Sequence, residues 1–483
     1  MDPVLEFPID LPARDSRNLL RALHGQLRAA ILDGRLRPGL RLPPTRALAA
    51  ACGVSRNTAV AAYDLLLSEG YLLTRPRAGA FVADVLPTAP AHKAPARGAN
   101  ADRRLAAFWR RPPLAPSAPP HAPPRWDFRL GVPDAGAFPF DVWRRLSARA
   151  LRAAAKAPAA YLDAQGQPAL RAAIAQHVAF ARAVACGADD IVVTAGAQQA
   201  FDLLARILVA PGRTVVAVEN PGYAPARAAF AAAGARIAPV RVDDEGLVVA
   251  RLPREARVIC VTPSHQFPLG VAMSARRRAE LLEFAHRHGA VVIEDDYDGE
   301  FRYAGRPLDA LQTLDRADSV FYVGTFSKCL FPALRLGFVA APAWARRALV
   351  GAKLAADGHC PGVAQDALAA FIAAGHLARH VRRMRGVYAA RREVLLSGLQ
   401  RDLAPWLRPL PAVAGLHLAA RAAPGFDADA LARRAREHGV GVQSLRGYRD
   451  GPAGASGLVF GFGAIEADAI AEGLARLRRL CRA

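Results

Sequence analysis

The stretch from residue 86 to residue 125 divides this chain. It holds ten prolines, with doublets at Pro112-Pro113, Pro119-Pro120 and Pro123-Pro124. Proline locks φ and carries no backbone N–H, so a segment this rich in it makes neither helix interior nor central strand. Dominated by Pro and Ala, it buries no core and reads as an extended, partly disordered tether. The 483 residues must then fold in pieces. A small unit spans residues 1–85, the linker spans 86–125, and a large unit spans 126–483, with a smaller subdomain from about residue 388.

Charge does not single out one piece. The net charge is +22, of which residues 1–85 carry +3, the linker +6 and the large unit +13. A basic total is compatible with a nucleic-acid partner but does not locate it. Arg103, Arg104, Arg110 and Arg111 stud the linker, which fits a solvated tether or extra contact with DNA phosphates or with the protein's own core. The six cysteines form no C-x-x-C pair and read as small buried hydrophobes in a reducing compartment. The chain opens without a charged-then-apolar leader and has no run of about 18 apolar residues. A cytoplasmic protein without a membrane span is expected.

In the small unit, Leu20, Leu23, Leu27, Ile31 and Leu32 form a helical stripe. Thr45 is a candidate N-cap for a helix over Arg46–Ala51, and Ser55 for a second over Arg56–Glu69. Cys52-Gly53-Val54 is the tight turn between them, which is the helix-turn-helix pattern. The second helix of that motif presents its N-terminal residues to base edges. Here those are Ser55, Arg56, Asn57 and Thr58, all able to hydrogen-bond. A hairpin, Tyr71–Thr74 and Ala80–Asp84, then encloses a basic tip with Arg75 and Arg77.

This unit resembles the winged helix of the GntR family of bacterial regulators, through PGLRLPPTRALA, GVSRNTAVAAYDLL and SEGYL. The resemblance implies DNA contacts by Arg46 and Arg56, with the wing on the minor groove or backbone. It departs from the family at Pro44, where Ser is common, and at Pro76, Arg77 and Ala78, where small Ser/Gly residues are usual.

The large unit alternates apolar runs with Ala/Leu/Arg helices. The runs are Ile191–Thr194, Thr214–Val218, Arg257–Thr262, Ala290–Glu294, Ser319–Val323 and Gly337–Ala340. The helices include Gln198–Leu208, Arg276–His288 and Gly362–Ala374. This predicts a mainly parallel sheet covered on both faces. A helix, short strands near Gly415–Ala419, Gly441–Ser444 and Leu458–Phe462, and a last helix predict a smaller α+β part.

Lys328 follows one of these runs, in Gly324-Thr325-Phe326-Ser327-Lys328, with Arg335 seven residues on. The chain has four lysines against 60 arginines. A lysine kept in such a sequence suggests that the amine itself is wanted, since it can lose its proton and form a Schiff base. Alone, the motif fits a surface or phosphate-binding lysine equally well. Other motifs sharpen it. Glu294-Asp295-Asp296-Tyr297 ends a strand in acids, and a buried carboxylate there suits a pyridinium nitrogen. Metal binding is not expected, because no histidine stands at ligand spacing. Thr194-Ala195-Gly196-Ala197-Gln198 leads a strand into a helix N-terminus, a phosphate cradle. His265 in Ser264-His265-Gln266 and Tyr223 in Asn220-Pro221-Gly222-Tyr223 also follow strands. His265 fits a cofactor contact or a structural role.

In this order the motifs resemble class I aminotransferases, whose fold type I architecture holds pyridoxal 5′-phosphate. Head, linker and body together resemble the MocR group of regulators. The resemblance implies that Lys328 carries the cofactor and that Asp295 pairs with its ring nitrogen, Asp296 being the alternative one register step away. It implies Tyr297 and His265 at the ring hydroxyl, Tyr223 stacked on the ring, and Ala197, Gln198, Thr325, Ser327 and Arg335 at the phosphate. Tyr161 is implied to reach a partner subunit's phosphate in a homodimer whose two heads read two operator half-sites. The chain departs from aminotransferases at Leu269, where Thr is common. It departs again at Val459, where a carboxylate-clamping Arg is expected; Arg446 and Arg449 are nearby alternatives. A regulator sensing the cofactor or its adduct with a small amine or amino acid is the leading reading. A working aminotransferase and a cofactor-free dimerisation scaffold are the alternatives.

Overall fold

The computed structural model describes residues 9–12, 18–84, 104–110, 123–304, 309–411, 413–451, 454 and 456–482. Most of the linker, including Arg103 and Arg111, lies outside them. The chain divides into two compact units, residues 1–104 and 105–483. Among the described residues no helix is long and apolar enough to cross a membrane.

The first unit has helices Leu19–Leu32, Thr45–Cys52 and Arg56–Ser68, then a hairpin of Leu72–Arg75 and Gly79–Val82. Leu23, Leu27, Ala30 and Ile31 of the first helix pack with Leu48, Ala59, Ala62 and Leu66. Leu32, expected in the same stripe, is 46% exposed because it falls one position past the buried face. Ser55 caps the third helix as expected, its hydroxyl accepting from Thr58 N at 3.1 Å. Thr45 does not cap the second. The helix starts on Thr45 itself, and Pro44 at the N-cap offers no side-chain acceptor. The departure from Ser at position 44 thus removes a cap rather than moving it. Gly53 closes the turn at φ 63°, the left-handed conformation that suits a glycine C-cap.

In the second unit, one eight-stranded sheet runs in the spatial order Ile191–Thr194, Gly337–Ala340, Val320–Thr325, Val291–Asp296, Ala256–Val261, Val215–Asn220, Arg236–Asp243 and Gly246–Leu247. Its centre is parallel, while Gly337–Ala340 runs antiparallel to both neighbours. Arg236–Asp243 is absent from the sequence-predicted runs. Pro239 breaks the pattern there, and it is tolerated because only Val242 and Asp243 pair with the outer strand.

A second sheet of Leu407–Pro409, His417–Ala422, Gly457–Gly461 and Gln443–Ser444 is antiparallel. The subdomain boundary expected near Tyr388 falls inside one continuous helix, His376–Asp402, where Tyr388 is 1% exposed. Trp126–Asp127, at the start of the large unit, pairs with Val440–Gly441 near its end. That long-range pairing has no local signal in either segment.

Candidate functional site

The parallel strands end at a cavity of about 390 Å³. Ala197, Gln198, Tyr223, Asp295, Tyr297, Thr325, Ser327, Lys328 and Arg335 all line it. They come from the C-terminal ends of four strands and the segments that follow, spanning more than a hundred residues of sequence, and the sheet topology brings them together.

Strand alternation separates the two neighbouring aspartates. Successive side chains point to opposite faces. Asp295 lines the cavity, and its Oδ1 is buried without a hydrogen-bond partner. Burial, then the nearby carboxylates of Asp296, Asp298 and Glu219, push its carboxyl well above the usual range, with Lys328 opposing. Asp296 lies on the other face, with Glu294. It accepts from Arg182 Nε at 2.6 Å and from Tyr322 Oη at 2.6 Å. Arg182 also reaches Ser264 Oγ at 2.5 Å, so this buried pair ties the acid strand to the helix Pro168–Arg182. Truncating Arg182 to Ala strands the Asp296 charge in the interior. A loss of about 3–5 kcal/mol in unfolding free energy is expected by chemical denaturation, and a loss below 1 kcal/mol would mean that water or Tyr322 satisfies Asp296.

Lys328 is half-buried, and its Nζ donates to Gly131 O at 2.8 Å. Burial lowers its pKa, with Arg335 adding to the effect against Asp298 and Asp295. The amine therefore loses its proton more readily than an exposed lysine, as a nucleophile requires. Gly131 (φ 67°) is required here, since a Cβ on it would come 2.5 Å from Nζ.

Opposite lies an anion cradle. Gly196 takes φ 80° before the helix Ala197–Leu208, where a Cβ would meet Arg335 Nη2 at 2.9 Å. Arg335 donates to Ala195 O at 2.8 Å, while Ala195 N donates to Gln199 Oε1 at 2.8 Å. Gln199 in turn donates to Asp357 Oδ2 at 2.7 Å, and Asp357 is held by the fully buried Lys353. A second of the four lysines thus braces the loop. The Thr325 and Ser327 hydroxyls are 3.1 Å apart on the facing wall. Tyr223 meets Phe267 edge to face at 5.5 Å.

Two expected residues sit elsewhere. His265 is behind Tyr297 rather than on the cavity wall. Tyr297 Oη lies 3.0 Å from its Nδ1, and Asp298 also holds that nitrogen. Tyr161 is 95% exposed, with its ring 6.2 Å from that of His359, and does not line the cavity of its own chain. Val459 is fully buried, packed with Leu269, Leu410 and Leu445. Of the alternatives, neither Arg446 nor Arg449 lines the cavity, and Arg446 faces Asp429 at 3.4 Å.

In the first unit Arg46, Ser55, Arg56 and Asn57 are exposed and Thr58 is half-buried. At the hairpin, Ala78 N donates to Arg75 O, with Pro76 and Arg77 between them. Arg77 sits at φ 60°, a position glycine usually takes, which costs roughly 1–2 kcal/mol for a residue with a Cβ. Arg75 lies 4.6 Å over the Phe81 ring and 3.8 Å from Asp84.

Comparison with known proteins fits both halves. Residues 20–82 match the model of the bacterial regulatory proteins of the gntR family, and residues 130–450 match that of aminotransferase class I and II. Over 98% of this chain and 95% of the relative, the sequence is 38% identical to the probable rhizopine catabolism regulatory protein MocR of Rhizobium meliloti. The chain belongs to the MocR-type regulators. It is a DNA-binding transcriptional regulator with an aminotransferase-like domain. The pyridoxine biosynthesis regulator PdxR of Corynebacterium glutamicum is 32% identical over 98% of each chain. Among solved structures, the kynurenine aminotransferase of Pyrococcus horikoshii superposes with a TM-score of 0.69 at 27% identity. That match covers 75% of this chain and 91% of the other.

Pyridoxal phosphate is the expected cofactor of such a MocR-type body, and the donor set fits it. The orphaned Asp295 Oδ1 suits a ring nitrogen, the cradle around Gly196 suits a phosphate, and Lys328 lies in the same cavity.

Sequence reading missed part of the wall. Leu130, Gly131, Phe267, Asp298, Leu416, His417, Gln443 and Tyr448 also line the cavity. Phe267 and Asp298 stood beside residues already singled out. His417, Gln443 and Tyr448 belong to the second sheet and its following loop, more than 80 residues beyond Arg335, without a local motif. His417 and His265 gather around Asp298 with ring centroids 4.6 Å apart, a His/Asp cluster that linear spacing concealed. Asp298 spends its carboxylate on His265 Nδ1 and on Leu416 N at 3.3 Å.

Proposed function

We propose that this regulator holds pyridoxal phosphate on Lys328 and passes the state of that site to its DNA-binding head. The observation that carries the reading is the placement of Lys328 and the orphaned Asp295 carboxylate in one cavity, next to the Gly196 cradle. Pyridoxal phosphate would supply an aldehyde carbon that condenses with primary amines. Asp295 would hold the proton on the ring nitrogen. Tyr297 would bond the ring hydroxyl, with His265 and Asp298 orienting Tyr297 from behind, and Tyr223 would lie against the ring. Ala197, Gln198, Thr325, Ser327 and Arg335 would hold the phosphate.

In the head, Arg46, Ser55, Arg56, Asn57 and Thr58 would meet DNA in the major groove, with Arg75 and Arg77 on the wing. The body would form a homodimer in which the exposed Tyr161 reaches across to the partner's phosphate, and two heads would read two half-sites.

A sensor fits better than a turnover enzyme, because Val459 stands buried where a carboxylate clamp is expected. A ligand shifts a conformational equilibrium only through different affinity for the two states. Titrating pyridoxal phosphate into apo protein should therefore change operator affinity or footprint. Constant affinity and footprint, with steady transamination of an amino acid, would hand the function to the enzyme reading.

A further inference from the structure

Asp295 borders two spaces. One is the large cavity, and the other is a narrow cleft of about 20 Å³ whose walls include Glu219, Arg227, Cys260 and Thr262. That volume has room for about one water molecule. Glu219 belongs to the strand Val215–Asn220, and Thr262 directly follows its parallel neighbour Ala256–Val261. The Glu219 side chain is buried, and its Oε2 accepts from Thr262 Oγ1 at 2.6 Å and from Gln266 Nε2 at 3.2 Å. Gln266 Nε2 also donates to Pro221 O at 2.9 Å, so Oε2 serves the turn that leads to Tyr223. Oε1 is left over. It is buried without a partner, as Asp295 Oδ1 is. Two buried acids therefore line one small polar cleft, each with an unsatisfied oxygen, an arrangement that is costly unless something joins them.

The charges in the cleft narrow what can join them. Burial pushes the Glu219 carboxyl up to about 7, against the hydrogen bonds from Thr262 and Gln266. Because Oε2 already accepts two hydrogen bonds, the acid proton belongs on Oε1. Burial raises the Cys260 thiol and the Tyr223 and Tyr448 hydroxyls, so these three neighbours stay neutral. Arg227 faces Asp450 at 3.6 Å. His265 lines neither space, and its Nδ1 faces Asp298 and Tyr297 Oη, each at 3.0 Å.

We propose that Glu219 is a positioning residue for the cofactor's ring nitrogen: protonated on Oε1, it donates through one water in the cleft to Asp295 and holds Asp295 as the anion that a protonated ring nitrogen pairs with. The proposal rests on the reading that the cavity holds pyridoxal phosphate on Lys328. The protons balance. Asp295 gives its own proton to the ring nitrogen, and Glu219 keeps its proton. When Glu219 ionises, the donor is lost and a second negative charge stands near Asp295, which then keeps its proton.

The test uses the full-length, cofactor-free protein and two ligands, pyridoxal phosphate and its deaza analogue, which has C–H in place of the ring nitrogen. The ratio of their affinities isolates the ring-nitrogen contact from the phosphate. In the wild type this preference for pyridoxal phosphate should fall about tenfold as pH rises, with its midpoint near the Glu219 value of about 7. Glu219→Gln keeps a donor that does not ionise, so its preference should stay flat and high. Glu219→Leu has no donor, so its preference should be flat and about tenfold lower. Thermal unfolding of the cofactor-free proteins gives a second readout. The folded-state value of Glu219 is raised, so its proton stabilises the fold at low pH, and that stability is lost as pH rises from about 4.5 through about 7. The wild type should therefore lose melting temperature relative to Glu219→Gln across that window. A wild-type preference that is flat through neutrality overturns the proposal, and this result needs no variant to fold. So does a Gln variant that titrates like the wild type or binds as weakly as the Leu variant, and so does a melting difference that does not change with pH. A wild type that shows no visible aldimine band at saturating cofactor instead overturns the cofactor reading beneath it.

Discussion

Replacing Lys328 with alanine is expected to abolish the aldimine absorption band of pyridoxal phosphate, and borohydride treatment of the variant is expected to leave no pyridoxyl group on any peptide. The same treatment of the wild type should label Lys328. The physical case rests on the competing amines. Lys93 lies outside the described residues, and Lys156 is exposed, far in sequence from the strand ends that build the cavity. Lys353 is buried, but its ammonium is tied to Asp357 at 2.5 Å to brace the cradle loop. Among the described lysines, Lys328 alone combines a cavity position with a pKa lowered by burial. The proposed phosphate and ring contacts do not involve Lys328, so the alanine variant should still bind some cofactor, with affinity lower by about 100-fold or more, roughly 2.7 kcal/mol. Isothermal titration measures that loss. A labelled peptide containing Lys353 or Lys156, or an intact band in the variant, refutes the assignment.

The sequence made the strand-end residues of the cavity legible and left its other wall dark, for a physical reason. Residues next to strand ends announce themselves, because a parallel sheet collects them at one edge. Asp295, Lys328, Thr325 and Ala197 were found in that way. The choice between Asp295 and Asp296 needed only the strand's register, since alternation sends one to the cavity and the other to Arg182. Arg182 itself gave no signal, because its partner lies 114 residues away. The same holds for His417 and Tyr448, which arrive on a second sheet whose strands carry no motif. Tyr161 is a different case. Its 95% exposure is what a side chain meant for another subunit would show, and a single chain offers it no site. In the head, local signals sufficed for the helices, while Thr45 was mistaken for a cap because Pro44 already stood there.

Replacing Arg56 with alanine is expected to weaken operator binding by about 1–3 kcal/mol, and Arg46→Ala to do the same from the preceding helix. Arg56 is the first residue of its helix, after the Ser55 cap, and both arginines are exposed. A guanidinium there adds its charge to the positive end of the helix, which favours contact with phosphate or a base edge. The two kinds of contact separate by salt. Loss of a phosphate contact lowers the salt slope by about one unit and weakens all sequences alike. Loss of a base contact leaves the slope and relaxes specificity at one position. Neither substitution touches the buried residues of the head, so its thermal unfolding should stay within about 0.5 kcal/mol of wild type. Ser55→Ala is the useful contrast, because it removes the cap on Thr58 N and costs about 1 kcal/mol of stability before any DNA is added. If Arg46→Ala and Arg56→Ala both bind at wild-type strength, recognition passes to the wing. There Arg77, held at φ 60° on the exposed turn, becomes the residue to test, ahead of Arg75, which is already engaged by Phe81 and Asp84.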